Sequence, residues 1–152
     1  NDLGVSYSHA PHYRETAAAA ILEMRRQVPQ DVFDAEGLLQ KGLLLRHLIL
    51  PGQYRDSMRI LDWVRASLGE ETLVSLMSQY TPLYRAKEIK ALSRKLTTFE
   101  YEKVIDYFFE IGLKNGFMQK RSSATGEYTP TFDLSGVVAA ESFMKREENH
   151  HD

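Results

Sequence analysis

The stretch Lys41–Gly52, KGLLLRHLILPG, constrains the fold more than any other part of the chain. Its apolar run from Leu43 to Leu50 is fenced by Gly42 on one side and by Pro51-Gly52 on the other. It is too short for an average helix and is closed by residues that end regular structure. Leucine is not a strong strand former, so propensity alone does not decide. The residues just beyond it decide, because Asp56 or Ser57 stands where a helix can be capped within a few positions, as in a βα unit of a parallel sheet. The spacing predicts a buried strand that carries Arg46 and His47 in its middle.

The rest of the chain alternates in the same way. Residues 1–11 lack periodicity and read as an irregular leading segment. From about His12 to Gln27 the composition turns helical, with an apolar stripe at Ala17, Ala20, Ile21 and Met24, and Pro29 ends it. His9 and His12 stand three apart but have no carboxylate or thiol in ligand spacing, which argues against a metal role. Residues 30–40 read as a connection. A helix over 56–68 shows Ile60, Leu61, Val64 and Leu68 at helical spacing, widened by Met58 and Trp63, before Gly69. Residues 72–80 read as a second buried strand, stopped by Thr81-Pro82. Residues 83–96 are basic and weakly apolar, a loop with a short helical turn, and read as a solvated face or as an anion-binding patch.

Thr97 followed by Glu100 fits a capping box and opens a helix whose apolar face is Val104, Ile105, Phe108, Phe109 and Ile111. Gly112 and Asn115-Gly116 stop it, and residues 116–119 read as a short third strand. Ser122–Gly126 reads as a loop, Pro130 and Gly136 interrupt the remainder, and the tail is charged. The 152 residues therefore predict one domain, compact over about 12–133, with a tail over 134–152.

Composition excludes several functions. A formal net charge of -2 with interspersed signs argues against a nucleic-acid reader. The absence of cysteine removes disulfides, thiolate catalysis and cysteine-ligated centres from this chain, and fits a reducing cytoplasm. No apolar stretch is long enough to span a bilayer, so a cytoplasmic location without membrane contact is expected.

Three strands alternating with helices predict an α/β fold: parallel βα units forming part of an incomplete (β/α) barrel with helices on the outer face. Alternation along the first strand separates Leu44, Arg46, Leu48 and Leu50 from Leu43, Leu45, His47 and Ile49. A guanidinium stays charged under a packed helix, whereas imidazole can be buried neutral with one hydrogen bond. Arg46 is therefore placed inward, facing either a ligand or an internal ion-pair partner, and His47 under the helices. On the second strand Val74 and Leu76 suit the helix side, leaving Ser75, Met77 and Gln79 inward. Gln79 then ends its strand where barrels bind ligands, or caps the backbone there.

The segments LRHLILPG (45–52), SLMSQYTP (75–82) and GLKNGFMQ (112–119), with a helix between the first two, resemble the carboxyl-terminal half of radical S-adenosylmethionine proteins. The likeness is greatest to homologues of the pyruvate formate-lyase activating enzyme. It spans roughly residues 13–133, and the Arg-x-x-x-x-Pro-Gly strand is its most specific part. The resemblance implies that this strand is the fifth of a partial (β/α)6 barrel and that Arg46 reaches the methionine portion of S-adenosylmethionine. It also implies a nucleoside contact at Gln79, with Tyr80 as its neighbour if the register shifts by one. The activating enzymes have histidine in that vicinity and this chain does not. They also hold a [4Fe–4S] cluster on a three-cysteine loop in an amino-terminal half, which has no counterpart here.

The resemblance therefore makes the chain a carboxyl-terminal fragment whose missing half is its first partner. The parent enzyme reductively cleaves S-adenosylmethionine and abstracts hydrogen from a glycyl radical enzyme or another substrate. The fragment alone is expected to be inert and to hold neither cofactor nor cluster. A different reading is a stand-alone half-barrel that binds an anionic metabolite or a protein through the basic residues of 83–96. A third is a purely structural module, and bare sheet edges in any half-barrel predict self-association.

Overall fold

The computed structural model describes Val5, Tyr7 and residues 9–118. The readings at Gln119, at Ser122–Gly126, at Pro130 and Gly136, and of the tail over 134–152 lie outside the described residues.

Helix α1 (Tyr13–Gln27) leads into a small antiparallel hairpin, β1 (Val32–Phe33) with β2 (Leu39–Lys41). Strand β3 (Leu44–Leu48), helix α2 (Tyr54–Leu68), strand β4 (Leu73–Met77), a 3-10 turn at Tyr84–Glu88, helix α3 (Thr98–Glu110) and strand β5 (Gly116–Met118) come after it. The three later strands form one parallel sheet in the order β3-β4-β5. The protein is thus α/β, and the described strands do not close into a barrel. No described helix is long and apolar enough to cross a membrane.

One face of the sheet makes the core. Ile49, Val74 and Leu76 from its helix side meet Leu61 and Val64 of α2 and Tyr101, Val104 and Phe108 of α3. The Tyr101 hydroxyl donates to the Leu76 carbonyl at 3.2 Å, so its one polar atom is satisfied inside the core. Tyr107 of α3 donates to Asp62 of α2 at 2.7 Å and ties the two helices at the surface. Phe109, expected on the apolar face, is exposed and meets the edge of Phe108 instead. Val104 and Phe108 lie four apart and so share the buried stripe that Phe109 misses.

Three expectations about ends and connections are corrected. Helix α2 starts at Tyr54 with Gln53 as N-cap, not at Asp56 or Ser57. Asp56 lies in the first turn, where a carboxylate complements the helix dipole. Residues 30–40 contain the β1–β2 hairpin, closed by Asp34, whose carboxylate accepts the N–H groups of Glu36 and Leu38 at 3.1 and 2.7 Å. Strands of two and three residues, all exposed, leave no alternation for a sequence to display. The inward side of α1 is Ala17, Ala18, Ile21 and Arg25, while Ala20 and Met24 are exposed. The cause is Arg25, which forks onto Asp31 with contacts of 3.0 and 3.2 Å.

Asp31 also accepts the Leu43 N–H at 2.9 Å. Burial pushes this carboxyl up, but the Arg25 and Leu43 hydrogen bonds and the Arg25 charge outweigh burial and leave it lowered. A Cβ at Gly42 would fall 2.7 Å from the Asp31 carboxylate, so only glycine lets the start of β3 approach it.

The capping box at α3 is present in full. Thr97 accepts the Glu100 N–H at 3.2 Å, and Glu100 accepts the Thr97 N–H at 3.0 Å. The same carboxylate, 5% exposed as a residue, also takes the Thr97 hydroxyl at 2.8 Å, the Gly52 N–H at 2.6 Å and both Nη atoms of Arg94 at 2.8 and 2.7 Å. Gly52 sits at φ 77°, a left-handed turn that aims its N–H at this carboxylate. Arg94 and the backbone and hydroxyl donors hold Glu100 far below the usual carboxylate range against the opposing effect of burial.

Glu100→Ala is expected to cost about 2–4 kcal/mol in urea unfolding, since buried donors lose their acceptor. Because the folded form holds this carboxyl low, its stabilisation is present above the usual carboxylate range and is lost as pH falls through it. The E100A variant should therefore show a flatter acid limb than the wild type when unfolding free energy is followed against pH.

Candidate functional site

The sheet face away from α2 and α3 is largely open among the described residues, except at Leu73, which is buried. In register across it lie Arg46, Ser75 and Phe117, with Leu44 beside Leu73 and Leu48 beside Met77. Leu44 is 40% exposed and Phe117 53% exposed. A parallel sheet ordinarily has both faces covered, and the described residues leave most of this partly apolar face uncovered.

Arg46 projects from this face and is exposed. Its Nη2 lies 3.2 Å from the Met77 sulfur, and Gln79 Nε2 approaches the same sulfur at 3.5 Å. A thioether is a weak acceptor, and among the described residues Arg46 has no carboxylate partner. The internal ion pair considered for Arg46 is not formed there. The structure thus brings Arg46 and Gln79 to one sulfur at the carboxyl-terminal end of β4, where parallel sheets bind ligands.

Tyr80 is turned elsewhere. Its hydroxyl donates to the Leu92 carbonyl at 2.8 Å and braces the loop before α3. Burial, and after it the neighbouring Tyr7, raise its pKa.

His47 lies on the helix side, as the cost of burying a guanidinium requires. Its Nε2 is 2.9 Å from Ser57 Oγ of α2. Burial lowers the imidazole pKa, with a smaller opposing pull from Asp56, so the ring is neutral near neutral pH. Ser57, read from sequence as a cap, is the buried partner that makes His47 tolerable there.

Two features were out of reach of sequence reasoning. Alternation places Met77 inward without giving it a role, and only the fold shows it beneath Arg46 and Gln79. The Glu100 tie to Gly52 joins residues far apart in sequence; its one visible signal was the capping box. A cavity of about 460 Å³ lies at the opposite end of the sheet between Arg25, Asp31, Phe33, Thr72, Leu73 and Asn115, and touches none of Arg46, Gln79 or Tyr80. Among the described residues no group of three or more His, Asp or Glu side chains is placed to hold a metal ion.

No family model matches the sequence, and no solved structure matches it significantly. The chain is similar to an uncharacterized protein of Methanocaldococcus jannaschii, 33% identical over 79 residues. The matched part is 50% of this chain and 23% of that protein, so the chain spans about a quarter of the relative's length.

The neutral, buried state of His47 has a pH signature. Its folded pKa lies below the unfolded value of about 6.5, so stability is level above that pH and declines as pH falls below it, until the lowered folded pKa is passed. Thermal melting from pH 8 to 5 should show this decline in the wild type and a shallower one in H47Q. Ser57→Ala should cost about 1 kcal/mol by loss of the imidazole contact.

Proposed function

We propose that the chain forms the carboxyl-terminal part of a radical S-adenosylmethionine enzyme resembling the pyruvate formate-lyase activating enzyme, and that its three parallel strands belong to an incomplete (β/α) barrel. The observation that carries this reading is Arg46, a cation without a carboxylate partner among the described residues, standing on the open face of a parallel sheet. In a partial barrel that face is the inner one.

The residues present fit one portion of S-adenosylmethionine. The guanidinium of Arg46 suits the methionine carboxylate, which would displace the weak Met77 contact, and the Gln79 amide offers donors and an acceptor beside it. Tyr80, bonded to Leu92, serves better as a brace for the loop than as a second contact. The residues do not fit an iron–sulfur cluster, since the chain contains no cysteine. Cluster ligands would have to come from elsewhere in a longer polypeptide. The chemistry that S-adenosylmethionine supplies in such enzymes is hydrogen abstraction after its reductive cleavage, directed at a glycyl radical enzyme or another substrate. The part of this chain is to bind and orient.

The genomic sequence upstream of Asn1 provides the test. A three-cysteine loop in that frame supports the reading, and a stop codon there overturns it. In the extended polypeptide Arg46→Ala should weaken S-adenosylmethionine binding roughly tenfold or more in calorimetry, the size of one charge-assisted contact. Residues 1–152 alone should not cleave the cofactor under reducing conditions, and cleavage by them would refute the proposal. Light scattering at high concentration should show self-association of the isolated chain through its bare sheet; a strictly monomeric species counts against the half-barrel.

A further inference from the structure

A strongly basic, uncovered segment lies beyond the carboxyl-terminal end of β4. Residues 83–96 carry Arg85, Lys87, Lys90, Arg94 and Lys95 against a single acid, Glu88, in a chain whose overall charge is -2. Arg94 is withdrawn from this charge because Glu100 takes both its Nη atoms. Arg85, Lys87 and Lys90 are exposed and form no ion pair among the described residues. They stand on the 3-10 turn Tyr84–Glu88 and just after it, beside Leu83 and a Tyr84 that is 71% exposed. The loop beneath them is fixed, since Tyr80 bonds the Leu92 carbonyl and Leu92 and Leu96 are buried. The cations are thus displayed on an anchored platform.

The form of this surface chooses among anions. Small phosphate esters are held where donors converge in a concavity, whereas these cations stand exposed on and just after a short 3-10 turn, and neither the cavity at Arg25 and Asp31 nor the one at Asp62 and Arg65 is lined by any of them. Nucleic acid and anionic bilayers draw on broader positive fields than three cations on a net acidic chain provide. A short acidic stretch of polypeptide matches both the charge and the extent, and Leu83 and Tyr84 offer the apolar and aromatic contact that protein interfaces use beside their polar rim.

We propose that the exposed basic face of residues 83–90 docks an acidic polypeptide segment of a partner protein. This surface stands whether or not the open sheet face handles S-adenosylmethionine. Opposite charges there would speed encounter and orient the partner toward the ligand-binding end of the sheet.

The test is fluorescence anisotropy of the whole chain with a labelled peptide of alternating glutamate and leucine, beside its glutamine counterpart. Competitors are an oligonucleotide, phosphatidylserine vesicles and inorganic pyrophosphate. The acidic peptide should bind at low salt and the glutamine peptide should not. R85E/K87E/K90E should weaken binding roughly tenfold, the size expected for three exposed charge contacts inverted. The matched reversal R14E/K41E/R59E, at exposed positions elsewhere, should leave it within about twofold of the wild type. If melting shows that the charge reversal unfolds the chain, R85Q/K87Q/K90Q replaces it with the same expected direction. Absence of acidic-peptide binding, equal loss in both sets of variants, or tighter binding of any competitor through Arg85, Lys87 and Lys90 would overturn the proposal.

Discussion

The carboxylate of Glu100 gathers a turn, a loop and a helix start that are far apart along the chain. It accepts from Gly52 after β3, from Arg94 in the loop after β4 and from Thr97 at the head of α3. A buried carboxylate is costly unless its lone pairs are filled, and here the donors fill them. The buried carboxylate thereby links the three segments through its hydrogen bonds. The tie lies toward the carboxyl-terminal end of the sheet, the same end at which Arg46 and Gln79 approach Met77. The same pairing decides which cations of residues 83–96 remain available to a partner, because it removes Arg94 from the set.

A second constraint is the inequality of the two sheet faces. The helix side of β3 and β4 presents Ile49, Val74 and Leu76 to α2 and α3 and excludes water. The other side carries Leu44, Arg46, Met77 and Phe117, which the described residues leave exposed or half-buried, while Leu73 on the same side is buried. His47 and Arg46 are adjacent in sequence, and alternation sends them to opposite faces. The imidazole gives up its charge and takes Ser57 as partner, whereas the guanidinium cannot be neutralised and faces outward from the core. One pair of neighbours therefore separates the packed side of the sheet from its more exposed side.

Much of this was legible in advance. Gly42, Pro51 and Gly52 bracket β3, the stripe of Leu61, Val64 and Leu68 marks α2, and Thr97 with Glu100 marks the start of α3, because each depends on neighbours a few residues away. The hairpin at Val32–Phe33 and Leu39–Lys41 was not legible, since its strands are too short and too exposed to print a period. The inward side of α1 was misjudged for a related reason. Its apolar residues are mostly alanines, which pack with little preference, and the Arg25–Asp31 pair sets the rotation instead. Of the candidate site, the facing of Arg46 followed from alternation, whereas Gln79, read as the end of its strand, lies two residues beyond a strand that stops at Met77. The diversion of Tyr80 to Leu92 did not follow from alternation, because the partner is a backbone carbonyl whose position depends on the fold of the loop.

The stretch Lys41–Gly52 shows where that boundary falls. By itself the sequence determined that it is a strand, that Arg46 and His47 point opposite ways, and that the imidazole is the one to be buried, since these follow from local period and from the chemistry of one ionisable group. Tertiary structure alone decided that Met77 lies under the guanidinium, that Ser57 receives the imidazole and that Gly52 hands its N–H to a carboxylate on a distant helix. Those contacts join residues through space, and no local pattern records which distant donor a buried acceptor will find.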